Sequence, residues 1–295
     1  MNYQSGHAMK SSIDKTNKFG SRPQLSRGRA VLLLGLAVVL TGCATIKIPD
    51  DRTTGPGPAT GLTGNWQFQI TPTGGPGSFT SLAGFISETE GTPVDGDPVT
   101  AVFQATPATC FDGTEIIPLS GTVKTSQLDL RSFSIVGQFV TINATEDSTF
   151  SHLTGTYSIG GGCANGAAGT LSGVRYASLS GSYSGAITGS NPPKNISVAL
   201  QQSSDGQGDG SFLVTGTAAF TGNPCFTRGT VTSPTSYIVG QSVSLTLTTD
   251  APSNPQVVLT GTIDPAASTL SLSSIQVNGG SCPGSLGAAS LPRSQ

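Results

Sequence analysis

Charge is scarce in this chain. Of its 295 residues only 10% are Asp, Glu, Lys or Arg, and there are two histidines, two methionines and one tryptophan. Six of the 14 Lys/Arg and one of the 16 acids fall in residues 1–42, leaving eight bases against fifteen acids beyond, a net charge of −7. That excludes nucleic acid as a partner, because phosphate neutralisation needs clustered bases. His152 is the one histidine after residue 42, so any triad or histidine-ligated metal centre there would have to use it. No Gly-x-Ser-x-Gly elbow occurs, and the one Ser-x-x-Lys, Ser12-Ile13-Asp14-Lys15, lies in the basic leader. The uninterrupted apolar run 30–40 is 11 residues long, against roughly 20 needed to span a bilayer. After Cys43 no stretch combines helical spacing of apolar residues with a cap and a stop, which removes helical folds from consideration.

The chain begins instead with an address. Lys10, Lys15, Lys18, Arg22, Arg27 and Arg29 precede the apolar run, which ends in Leu40-Thr41-Gly42-Cys43. A basic start, a short apolar middle and a small-residue exit form a secretory signal over 1–42. The Leu-Thr-Gly-Cys ending resembles the lipobox of bacterial lipoprotein precursors. The resemblance implies a thioether from the Cys43 sulfur to diacylglycerol, cleavage before Cys43, acylation of its new amine by a chain such as palmitate, and a protein held to a membrane by its lipid. Ala44 rather than Asp after the cysteine implies the outer membrane in such proteins. Residues 43–60, with Thr53-Thr54-Gly55-Pro56-Gly57-Pro58, read as a lipidated N-terminus and flexible linker, with an end-to-end distance of roughly 20–25 Å.

Beyond the linker the chain repeats itself, over 61–176 and 177–295. Leu62-Thr63-Gly64-Asn65-Trp66 answers to Leu179-Ser180-Gly181-Ser182-Tyr183, Cys110-Phe111 to Cys225-Phe226, and Gly161-Gly162-Cys163 to Gly279-Gly280-Ser281-Cys282. Between these, Ile135–Ile142 is matched with Ile238–Leu245 and Leu153–Tyr157 with Leu259–Ile263. Each copy closes on an arginine, Arg175 and Arg293. The offsets are 117, 115, 103, 106, 119 and 118, and the dip in the middle reads as compensating loop changes inside a kept frame. Setting Cys43 aside, four cysteines remain, which an exported chain oxidises. They allow three pairings, and a unit that carried its own bridge before duplication gives Cys110–Cys163 and Cys225–Cys282.

Strict alternation, as in Trp66, Phe68, Ile70 or Val243, Leu245, Leu247, predicts strands. Even spacing without helices gives an all-β protein: two tandem antiparallel barrels or sandwiches of seven or eight strands each. Frequent strand glycines predict tight curvature. Gly64-Asn65-Trp66 and Gly181-Ser182-Tyr183 resemble the Gly-x-Trp start of lipocalins, small ligand-carrying barrels. The likeness covers three residues per copy, the second lacks the Trp, and no ligand residue carries over.

Neither catalytic nor metal-ligating residues can be named, and no cofactor is implied. The acid pairs Asp95/Asp97, Glu88/Glu90, Glu146/Asp147 and Asp205/Asp209 sit in turn-like sequence, where carboxylates bond backbone amides. Residues 203–210 hold oxygen ligands and glycines without the spacing of an EF-hand. The expectation is a lipid-anchored, non-catalytic envelope protein that binds glycans or envelope proteins or serves structurally. The alternatives are a lipocalin-like carrier, requiring a cavity lined by Trp66, Phe68, Tyr157 and Phe212, and a hydrolase with two facing carboxylates at roughly 5–10 Å.

Overall fold

The structure is a computed structural model and describes residues 61–92, 94–189, 192 and 194–294. The leader, Cys43 and the linker lie outside the described residues. The first repeat contributes β1 (Gly64–Gly74), β2 (Ser81–Glu88), β3 (Asp97–Ala105), β4 (Ile116–Lys124), β5 (Gln127–Ser132), β6 (Phe139–Glu146), β7 (His152–Gly160) and β8 (Ala168–Tyr176). Each strand pairs antiparallel with the next, and β1 pairs with β8 from Asn65↔Tyr176 to Gly74↔Ala168, so the sheet closes on itself.

The second repeat contributes β9 (Gly181–Thr188), β10 (Lys194–Gly206), β11 (Phe212–Thr221), β12 (Arg228–Val231), β13 (Tyr237–Val239), β14 (Ser242–Thr249), β15 (Gln256–Ile263), β16 (Thr269–Asn278) and β17 (Gly284–Pro292). Here β12 and β13 are two halves of one stave: both pair with β11 on one side and β14 on the other. Pairing of β17 with β9 closes this barrel as well. Both repeats are therefore closed barrels rather than sandwiches, and closure leaves neither sheet an open edge.

Alternation does the building. In β5, Leu128, Leu130 and Ser132 are buried while Gln127, Asp129 and Arg131 are exposed. The first interior is packed with rings: Trp66 and Phe68 lie 6.1 Å apart, Phe68 and Phe103 5.3 Å, Phe79 and Phe111 5.1 Å, Phe79 and Tyr157 5.6 Å. The polar tips are satisfied inside. Trp66 Nε1 donates to the Leu62 carbonyl at 2.7 Å, and Tyr157 Oη and Ser78 Oγ are 2.6 Å apart. In the second barrel Tyr183 takes the place of Trp66, its hydroxyl donating to the Ala267 carbonyl at 3.1 Å. Strand glycines permit the coiling that closure demands. A Cβ on Gly121 or Gly155 would run into the carbonyl of Asp129 or Asn143 on the adjoining strand.

The disulfides pair as the repeat implies, Cys110–Cys163 and Cys225–Cys282, with Cα atoms 5.5 and 6.3 Å apart. Each joins the loop after the third strand to the loop before the last.

The middle of the repeat alignment is corrected. Strand order equates β6 with β15 and β7 with β16, whereas Ile238–Leu245 spans β13 and β14, and Leu259–Ile263 belongs to β15. Matching Ile135–Ile142 and Leu153–Tyr157 to those segments slips the alignment by one strand. Successive strands of a barrel share the same alternation, so a one-strand slip preserves the apolar pattern and escapes notice. With the slip removed, β6 and β7 begin at 139 and 152 and their counterparts at 256 and 269, an offset of 117 in both cases. No compensating loop changes are needed.

Candidate functional site

Among the described residues the one histidine, His152, opens β7 at the end of the β6–β7 turn. Asp147 Oδ1 accepts from the backbone N–H groups of Ser151 and His152 at 3.0 and 3.1 Å, and Oδ2 accepts from Thr149 Oγ1 at 2.6 Å. His152 Nδ1 is 2.9 Å from Ser151 Oγ and 3.2 Å from Asp147 Oδ2. Serine, histidine and aspartate are thus together, yet both contacts are to the same ring nitrogen. A triad needs the nucleophile on Nε2 and the carboxylate on Nδ1, so these three residues cannot act as one. Burial works to raise the Asp147 pKa, but the hydrogen bonds from Thr149, Ser151 and His152 outweigh it and hold the carboxylate ionised well below its ordinary range.

The second barrel explains what this turn is for. Asp264 Oδ1 accepts from Thr269 N at 2.7 Å and Oδ2 from Ser268 Oγ at 2.8 Å, while Ala267 stands at φ +52° where Phe150 stands at +54°. Asp264 is likewise ionised below the ordinary range, burial opposing and the bonds from Ser268 and Thr269 prevailing. Asp147 and Asp264 hold the same turn, and the position of His152 is filled by Thr269. The histidine is a passenger on a structural aspartate.

Other acids are similarly engaged. Glu88 Oε2 accepts from Leu62 N at 2.6 Å, Asp97 Oδ1 from Gly91 N at 2.8 Å, Asp95 Oδ2 from Thr92 Oγ1 at 2.8 Å, and Asp209 Oδ1 from Ser211 Oγ at 2.7 Å. Among the described residues no three His, Cys, Asp or Glu side chains gather as metal ligands would. The arginines that close each barrel are also paired devices: Arg175 Nη1 donates to the Gly61 carbonyl at 2.7 Å and Arg293 Nη2 to the Ser180 carbonyl at 2.6 Å. Burial pulls the Arg175 pKa down, against the charges of Glu146 and Asp147.

The four aromatics named for a carrier's cavity are buried and packed against other rings. Trp66, Phe68 and Tyr157 pack into the first interior, and Phe212 meets Phe85 of the other barrel at 6.1 Å. That contact belongs to an interface that sequence reasoning missed. The side-chain amide of Asn65, 1% exposed, donates Nδ2–H to the Gly240 carbonyl and accepts the Gly240 N–H on Oδ1, both at 2.7 Å. Gln104 Nε2 donates to the Asp209 carbonyl at 2.9 Å. The outer face of β1, β2 and β3 is therefore partly covered by the second barrel.

The equivalent outer face of the second barrel is open. Ser182, Ser184, Ser197, Ala199, Thr217 and Ala219 occupy the places that Asn65, Gln67, Ala83, Phe85, Val102 and Gln104 hold in the first. Small side chains there leave a groove of about 500 Å³, bordered by Arg228 and Ser294. It is a shallow concavity in which serine and threonine hydroxyls alternate with alanine side chains, with one guanidinium at its border.

The fold defines a class: a tandem of disulfide-bridged, up-and-down antiparallel β-barrels. Comparison with protein-family models, with characterised proteins and with solved structures returns no match to this chain.

Proposed function

We propose that this chain is a lipoprotein of a bacterial outer membrane, held by acylated Cys43, whose two barrels form a non-catalytic binding or structural module. The observation that carries the non-catalytic reading is the repetition of the Asp147 turn at Asp264 without its histidine. Chemistry needs a particular residue, whereas a turn needs only the carboxylate. The interior packing of Trp66, Phe68, Phe79, Phe103, Phe111 and Tyr157 supports a surface binder over a carrier. Binding then belongs on the outside, and the hydroxyl-lined groove on β9–β12 suits a glycan or an extended segment of another envelope protein.

The test of the anchor is mass spectrometry of the processed N-terminus together with membrane fractionation. Acylated Cys43 in the outer-membrane fraction is the expected result; a mature chain starting elsewhere, or an unmodified Cys43 in the soluble fraction, refutes it.

A further inference from the structure

Three exposed apolar side chains gather around the β5–β6 turn of the first barrel. Phe133 and Val136 are 71% and 77% exposed, and Phe139 is 39% exposed beside them. Val136 and Gly137 both have positive φ, +49° and +78°, a conformation in which a β-branched residue is strained. The counterpart in the second barrel makes the same two-residue turn with Ser253 at +72° and Asn254 at +44°, residue types suited to a polar turn. At the fixed offset, Phe133 stands where the second barrel has Asp250, Val136 where it has Ser253, and Phe139 where it has Gln256. Three polar positions of one copy are apolar in the other, and all three lie on one turn.

The turn is held in place from behind. Ile135 and Gln138 exchange backbone hydrogen bonds of 2.8 and 2.9 Å, and the buried Gln138 side chain accepts from Ala164 N at 2.9 Å and donates to the Cys110 carbonyl at 3.3 Å. An apolar tip on a rigid support is arranged to be presented, not to collapse onto its own surface.

We infer that this tip docks on a neutral phospholipid surface, with Phe133 and Val136 entering the acyl boundary and Arg131, 5.8 Å over the Phe139 ring, at headgroup level. Charge distribution favours lipid. The end of the barrel carrying the turn has only Asp112 and Glu115 as acids in its loops, whereas the opposite end gathers Glu88, Glu90, Asp95, Asp97, Glu146 and Asp147. The net charge of −7 beyond residue 42 favours a zwitterionic surface over an anionic one. The tip and the start of β1 lie at opposite ends of the barrel. Residues 44–60 span up to about 60 Å when extended, against at most about 36 Å for the 11 residues of β1. The tip can therefore reach the bilayer that holds Cys43, and the inference rests on that anchor only for the local concentration it supplies.

Phe133→Trp tests this in the full-length processed protein reconstituted into phosphatidylcholine vesicles with brominated acyl chains. The native Trp66, fully buried in the barrel, serves as the unquenched internal reference and reports folding. The introduced indole emission is expected to shift to the blue and to lose at least half its intensity, and adding Val136→Ser with Phe139→Gln is expected to abolish the loss. In detergent without phospholipid the protein should sediment as one chain per micelle. Flotation reads the anchor separately. Protein that floats with the introduced indole unquenched overturns the tip and leaves the anchor standing. Protein that fails to float yet is quenched at millimolar lipid overturns the anchor and keeps the tip. Self-association that Val136→Ser removes overturns the lipid assignment in favour of a second copy.

Discussion

Asn65→Leu should uncouple the two barrels. The Asn65 amide makes both of its bonds to one residue, Gly240, and both partners are buried, the amide being 1% exposed. Leucine keeps the volume and removes both bonds, so no space opens for a water to replace them, and the Gly240 N–H and C=O are left orphaned in the interface. Orphaned buried groups cost about 1–3 kcal/mol each, so the pair should cost about 2–6 kcal/mol of interface stability. At the lower figure the Gly240 amide should exchange with solvent about 30-fold faster, since roughly 1.4 kcal/mol is a factor of ten. Hydrogen exchange followed by NMR is the assay. Leu245, paired within β14–β15 of the same barrel, is the control and should be unaffected. Trp66 offers a second readout: it is the only tryptophan, it adjoins position 65, and its emission reports unfolding of the first barrel alone. Asn65→Ala should do less harm, because the smaller side chain admits a water. If Gly240 exchange in Asn65→Leu matches wild type and the Trp66 unfolding midpoint does not move, these bonds do not hold the barrels together.

Four further outcomes are expected. Gly240→Ala should destabilise the same interface, because φ is +53° there and a Cβ would press on Gln67 and Ala83, so its thermal midpoint should fall while Gly137→Ala, whose Cβ meets open space, reports the cost of positive φ alone. Replacing Cys110 and Cys163 together by Ser should lower unfolding free energy by up to about 4 kcal/mol by loop-closure arithmetic on a separation of 53 residues, read by denaturant titration of Trp66 emission. His152→Ala should leave stability unchanged within about 0.5 kcal/mol in the same titration, whereas Asp147→Asn should loosen the β6–β7 turn, seen as faster exchange of the Ser151 and His152 amides. Asp147 and Asp264 both have folded pKa values below their unfolded ones, so their contribution is complete above the unfolded value of about 3.9 and is lost as pH falls through the lower folded values; denaturation midpoints should be flat from pH 5 upward, fall below about pH 4, and fall less in the double Asn variant.

Much of the architecture could be read from residue order, because a barrel is built from local information. Alternation in Gln127–Ser132 or Ser242–Thr249 decides which side chains go inside, and neighbouring strands pair in sequence order. The disulfides were readable for the same reason, each copy carrying its own two cysteines. The repeat frame was readable only at its marked ends, where Gly64, Cys110, Cys163 and Arg175 have unmistakable partners. In between, Leu153-Thr154-Gly155 resembles Leu259-Thr260-Gly261 as closely as unrelated strands of one barrel do, since all answer to the same demand of inward leucine and outward threonine. The repeated Asp turn could have corrected that slip, had Asp147-x-x-x-Ser151 been set against Asp264-x-x-x-Ser268. The interface left no comparable trace. Asn65 and Gly240 are 175 residues apart, and nothing in an alternating strand tells an outward Asn facing water from one facing a second barrel.

Two similar barrels in one chain separate what the fold requires from what it merely tolerates. Positions that are the same in both copies are accounted for by closing a barrel: the glycine pair Gly64 and Gly181 against Arg175 and Arg293, the turn aspartates, the bridges, the ring at Trp66 or Tyr183. Two surfaces differ between the copies in ways that closing a barrel does not account for. One is the outer face of the first three strands, where Asn65 grips Gly240 in one copy while Ser182 borders an open groove in the other. The second is the β5–β6 turn, where Val136 accepts backbone strain that Ser253 bears more readily. Relaxing Val136 to a polar turn residue would cost the fold nothing, since the second barrel folds that way already. Its retention as an exposed, strained, apolar tip therefore has to be explained by what it touches.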